Sequence, residues 1–121
     1  MKNDPYPDID VYLDAVSGKK ARDIVALDVR GLTSIADVFI VCGGLSNRQV
    51  TAIADHIQIT LKKDSGIRPL SVEGKKGGRW VLLDYGDVVI HVFLETERKF
   101  YDLEGLWTDA GRIPVKSDES P

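Results

Sequence analysis

The chain has 121 residues, 43% apolar and 29% charged, with 16 Lys and Arg against 19 Asp and Glu for a net charge of −3. That length supports one domain, and area scaling buries roughly two-thirds of the unfolded surface, enough for a core without metal or disulfide staples. The apolar fraction and small net charge exclude a disordered chain, the single cysteine excludes an internal disulfide, and the acidic balance suits a basic protein partner better than nucleic acid.

In chain order, the first seven residues, with two prolines, read as a loose lead-in with no apolar stretch of signal-peptide length. Asp8 can cap a helix in which Ile9, Tyr12, Leu13 and Val16 share a face, and Gly18 can stop it. Ile24–Asp28 and Asp37–Cys42 read as short strands buried on both faces. Gly43-Gly44 ends the second, and Ser46 then opens a helix with Gln49 completing a capping box. Val50, Ile53, Ile57 and Leu61 give that helix one apolar face, Lys62 and Lys63 suit its negative end, and Gly66 ends it. Ile67–Glu73 reads as an edge strand marked by Pro69, with Leu70 and Val72 on one face. The loop from Gly74 to Gly78 leads into Arg79–Asp84, and the turn Tyr85-Gly86-Asp87 joins it to Val88–Leu94 as a hairpin. Val88–Leu94 is the longest apolar run, far short of a membrane span. A last helix is expected from about Glu95 to Leu106, with Phe100, Leu103 and Trp107 on one side, followed by a mobile tail over 108–121. The expected fold is one α/β domain over 1–107, a mixed sheet of about five strands flanked by helices in two or three layers.

Candidate chemistry is sparse. The Gly43-Gly44-Leu45-Ser46 turn between strand and helix could cradle phosphate on backbone amides. Nucleotidyl transfer would also need paired carboxylates on a following strand, and Ala54-Asp55-His56-Ile57 offers only one, on a helix. No Gly-Lys-Ser/Thr follows, so the turn is not a P-loop, and it reads most simply as a tight turn with a helix cap. His56 and His91 lack a second ligand at metal spacing, and Cys42 has no adjacent base. Lys75, Lys76 and Arg79 form a charged hairpin tip without an aromatic stacking platform. No catalytic, cofactor or metal site is therefore expected.

Six of the nine aromatic residues lie between Trp80 and Trp107. Trp80, Leu82 and Asp84 alternate onto one strand face, so Trp80 is either a protein-binding hot spot beside a carboxylate or a core plug.

Leu27-Asp28, Ala36–Phe39, Gly43–Ala54, Glu73-Gly74, Trp80–Gly86, Val88–Phe93 and Arg98–Trp107 together resemble, in order, the ribosomal silencing factor family (RsfS, also called Iojap). The resemblance covers about Ala21 to Trp107 and implies a nucleotidyltransferase-like α/β fold without transferase chemistry. It further implies a cytoplasmic translation repressor that binds the large ribosomal subunit through large-subunit ribosomal protein fourteen and blocks joining of the small subunit. Homodimers belong to the same picture; a cofactor, a membrane and sequence-specific nucleic acid do not. On the family motifs, the residues expected at the partner surface are Trp80, Asp84, Tyr85 and His91 from the hairpin, with Arg98, Tyr101 and Asp102 from the last helix. The alternatives are a nucleotide-binding enzyme at the glycine turn, a large-subunit assembly factor, or RNA binding through the basic loop.

Overall fold

In the computed structural model, residues 9–18 and 20–115 are described. The lead-in, the Asp8 cap and the tail from Lys116 lie outside them. The elements are α1 (Ile9–Ser17), β1 (Arg22–Asp28), β2 (Val38–Gly44), α2 (Asn47–Ser65), β3 (Ser71–Glu73), β4 (Trp80–Asp84), β5 (Val88–Leu94), α3 (Glu95–Tyr101), α4 (Leu103–Leu106) and β6 (Gly111–Ile113). They build a mixed six-stranded sheet in the order β3-β4-β5-β2-β1-β6.

The centre is the parallel pair β2–β5, in register from Val38↔Val88 to Gly44↔Leu94. Every residue of β2 is buried, as are Val88 to Phe93 of β5, which is why both strands read as unbroken apolar runs. The other pairings, β1–β2, β1–β6, β3–β4 and β4–β5, are antiparallel. One sheet face, carrying Ala26, Val38, Ile40, Cys42, Val81, Leu83, Val88, Ile90 and Val92, packs under α1 and α2. Residues Ile9, Tyr12, Leu13 and Val16 of α1 and Val50, Ile53, Ile57 and Leu61 of α2 meet it, as their spacing of three and four requires.

The termini of α2 follow the expected chemistry. Ser46 Oγ accepts from Gln49 N at 3.1 Å, Gln49 Oε1 accepts from Leu45 N at 2.6 Å, and Gly66 closes the helix at φ 66°. Gly44 lets the helix start sit against the strand, because a Cβ there would lie 3.0 Å from Val50 Cγ2 and 3.2 Å from Val50 N.

Four expectations change. The sheet has six strands, because Gly111–Ile113, in the stretch read as tail, pairs with β1 through Ala26↔Ile113 to Asp28↔Gly111. β1 is not buried on both faces throughout: its first half has no β6 partner and bulges between Arg22 and Val25, with Asp23 at φ 50°. β3 shrinks from the expected Ile67–Glu73 to three residues at the sheet edge, which leaves Leu70 outside the strand and 75% exposed. The last helix breaks at Asp102, which at φ 46° ends α3 and caps α4 through a bond from Gly105 N to Oδ1 at 3.2 Å. Phe100 and Leu103 therefore part company, Phe100 at 79% exposure and Leu103 at 8%.

Candidate partner-binding face

The second sheet face has no long helix over it. Leu27, Phe39 and Val89 form one apolar cluster there and Val41, Phe93 and Leu103 another, with Trp107 packed against both. Along β4, Val81 and Leu83 are buried under the helices, while Trp80, Leu82 and Asp84 stay half-buried on this more open side. A β-strand sends alternate side chains to opposite faces, so the sequence itself dictates this division.

The aromatic rings on this face form a continuous row. Trp107 meets Phe39 edge-on at 5.5 Å, Phe39 meets His91 edge-on at 5.0 Å, and His91 lies 6.0 Å from Trp80. Trp80 stacks on Phe93 at 4.7 Å and touches Tyr101 at 5.0 Å, and Tyr101 meets Phe100 edge-on at 5.0 Å. The indole Nε1–H of Trp80 donates to His91 Nδ1 at 3.1 Å. His91 is 4% exposed, and burial pushes its pKa down to about 4, so the ring is neutral near neutral pH.

The seven residues expected at the partner surface divide. Trp80, Tyr101 and Asp102 are at least partly accessible, and Asp84 is half-buried with Oδ1 accepting from Gly86 N at 2.8 Å. Tyr85 packs with the helix-side core, edge-on to Tyr12 of α1 at 5.5 Å, and burial pushes its phenol up to about 12. His91 lies beneath the surface. Arg98 is 8% exposed and turned inward: it donates to both carboxylate oxygens of Glu104, at 3.2 and 2.9 Å, and to the carbonyls of Arg22 and Asp23 at 3.2 and 2.7 Å. Those carbonyls belong to the β1 bulge, so Arg98 supplies donors the disturbed ladder does not. Burial alone would lower the guanidinium's pKa, and the bond and charge of Glu104, with the nearby Cys42 and Asp23, together more than offset it and raise it. Phe39 also belongs to this face, and so does Leu82, which the alternation of β4 places there although it is not among the seven.

The competing sites look different. At the glycine turn, two helix-start amides are already engaged, Leu45 N by Gln49 and Gln49 N by Ser46. Cys42 is fully buried and its thiol is pushed up to about 12 by that burial. Among the described residues no three His, Cys, Asp or Glu side chains are grouped as metal ligands would be, and none of the helices is long and apolar enough to cross a membrane. The glycine loop is tied to α2 by Asn47 Nδ2, donating to the carbonyls of Gly77 and Gly78 at 3.1 Å, and by the Lys75–Asp55 ion pair.

A mixed open sheet, with the long helices on one side and a row of aromatic rings on the other, defines an α/β domain with one face free of long helices. The family model described as ribosomal silencing factor during starvation matches residues 3–121. The chain is 43% identical to the ribosomal silencing factor RsfS of Halalkalibacterium halodurans, over 89% of this chain and 92% of that one. It is 48% identical to the one of Bacillus subtilis, over 79% and 80%. A crystal structure of a protein from Chromobacterium violaceum superposes with a TM-score of 0.78 at 40% identity, covering 92% of this chain and 90% of that one. A more distant mouse relative, 33% identical over 84% of this chain and 45% of its own length, is named mitochondrial assembly of ribosomal large subunit protein 1. The chain belongs to the RsfS family.

Proposed function

We propose that this protein is a cytoplasmic ribosomal silencing factor that acts by occupancy: it binds the large ribosomal subunit through large-subunit ribosomal protein fourteen and sterically blocks the small subunit. The observation that carries this reading is the aromatic row on the more open sheet face, with half-buried Trp80 at its centre and Asp84 and Asp102 on the same hairpin and helix turn. Aromatic anchors ringed by acids suit a partner rich in Lys and Arg. An interface of standard size covers about 800 Å² on each partner, more than enough to exclude a second body from the same surface. A second copy of the chain would compete for the same face.

Subunit joining followed by light scattering tests this, with the protein added first to purified large subunits. The expected result is a dose-dependent loss of assembled ribosomes. Trp80→Ala should weaken binding by about 2 kcal/mol, roughly thirtyfold. Unchanged joining with folded protein would overturn the reading. The name of the mouse relative favours a role in large-subunit assembly as a second reading. That reading expects large-subunit precursors to accumulate when the protein is depleted, with joining of mature subunits unaffected. For nucleotide binding at the glycine turn, the engaged amides predict no calorimetric heat with any nucleoside triphosphate.

A further inference from the structure

The geometry points to His91 as the positioning residue of the aromatic face: its Nδ1, by accepting the indole N–H, holds Trp80 in the orientation a partner meets. This inference deepens the proposed partner-binding role and rests on it.

An indole nitrogen can only donate. The 3.1 Å bond from Trp80 Nε1 therefore fixes Nδ1 as the acceptor and leaves the imidazole proton on Nε2. Nε2 is buried and has no hydrogen-bond partner. The other described residues of β5 are Val88, Val89, Ile90, Val92, Phe93 and Leu94, all apolar, and across the strands His91 faces Leu82 and Val41. A leucine or phenylalanine would fill this position without stranding a donor. What the histidine adds is the Nδ1 lone pair. Phe39 packs edge-on to the imidazole at 5.0 Å and Phe93 lies nearly parallel to it at 6.3 Å, so the ring that holds Trp80 is itself held. The indole is then clamped on three sides: by Phe93 below, Tyr101 beside it and His91 at its N–H edge. A pre-oriented aromatic anchor loses less side-chain freedom when a partner docks.

Two amides separate the nitrogens of the ring. Asparagine carries Oδ1 at the same number of bonds from Cα as Nδ1, and glutamine carries Nε2 at the same number as the histidine Nε2. His91→Asn thus keeps an acceptor at the Nδ1 position for Trp80, His91→Gln carries its whole amide one bond further out and has no acceptor at that position, and His91→Phe has neither acceptor nor donor. With purified large ribosomal subunits as the probe, His91→Asn should bind within about threefold of wild type, and His91→Gln and His91→Phe should bind at least about tenfold more weakly. In proton–nitrogen spectra of the free protein, the Trp80 indole N–H, assigned with Trp80→Phe and compared with that of Trp107, should keep its position in His91→Asn and move in the other two. In a Trp80→Phe background the His91 changes should have no further effect on binding.

Equal binding by folded His91→Asn and His91→Gln overturns the assignment, as does better binding by His91→Gln. Should His91→Phe not fold, the amide pair still decides. Absence of large-subunit binding by the wild-type chain would instead defeat the proposed function. In that case the indole resonances would still report whether His91 orients Trp80.

Discussion

Arg98 brings a cation into a region where it is 8% exposed and spends its donors on one carboxylate and two carbonyls. Arg98→Met would strand the Glu104 carboxylate and both bulge carbonyls, so a loss of about 3 kcal/mol in urea unfolding is expected. Arg98→Lys should recover only part of it, since a point charge cannot reproduce a forked guanidinium. The bond from Arg98 holds the Glu104 carboxyl below its ordinary range. This stabilisation is present above about pH 4.5 and fades as pH falls through the lowered value. His91 acts in a higher window. An unfolded chain takes up a proton on it near pH 6.5, and the folded chain resists until about pH 4 because Leu82, Val41, Phe39 and Trp80 surround the ring with no countercharge. Stability should therefore fall across that window as pH drops, by about 3 kcal/mol at full extent. Unfolding titrations of His91→Asn should lose that slope and keep the loss at lower pH that Glu104 contributes. Neither role was legible in the sequence. A lone arginine on a helix reads as solvent-facing, and the partners of both residues lie on other elements.

At the scale of elements, α2 was legible because cap, period and terminator agree. Ser46→Ala removes the acceptor for Gln49 N and should cost about 1 kcal/mol, read as a lower thermal midpoint. Gly74 is a harsher case: at φ 84°, any Cβ would collide with the Trp80 carbonyl. Gly74→Ala should cost more than about 1 kcal/mol and loosen the entry to β4. The break at Asp102 was not legible, because no local signal forbids a helix through 95–106. Its cause is tertiary: Leu103 must reach Val41 and Phe93, and Glu104 must reach Arg98. β6 was missed because three residues ending at Ile113, just before Pro114, are too short for alternation to register. Tyr85 was assigned to the partner surface although Trp80, Leu82 and Asp84 occupy even positions on that face. Continuing the parity one residue past the strand puts it on the opposite side.

For the whole molecule, the separation of stability from recognition is testable. Phe100, at the end of the aromatic row, and Leu106, next to Trp107 in the chain, are 79% and 74% exposed. Phe100→Ser and Leu106→Ser should leave unfolding free energy within about 0.5 kcal/mol of wild type. Each should also weaken co-sedimentation with large subunits. The broad architecture was legible, because apolar runs, glycine turns and one amphipathic helix suffice to specify a mixed sheet with helices. The division of its two faces between core and partner was only half legible, since β2 and β5 are apolar on both. The pairing of those two strands has a consequence for how the chain is made. Val38 meets Val88 and Gly44 meets Leu94, partners about fifty positions apart whose joining closes a long loop before any contact repays it. A nascent chain that has not yet delivered β5 lacks the middle of its own sheet and leaves one edge of β2 unpaired, with only β1 beside it. Folding must therefore wait until most of the polypeptide has left the exit tunnel, and fragments ending before Val88 should stay unstructured and prone to aggregate.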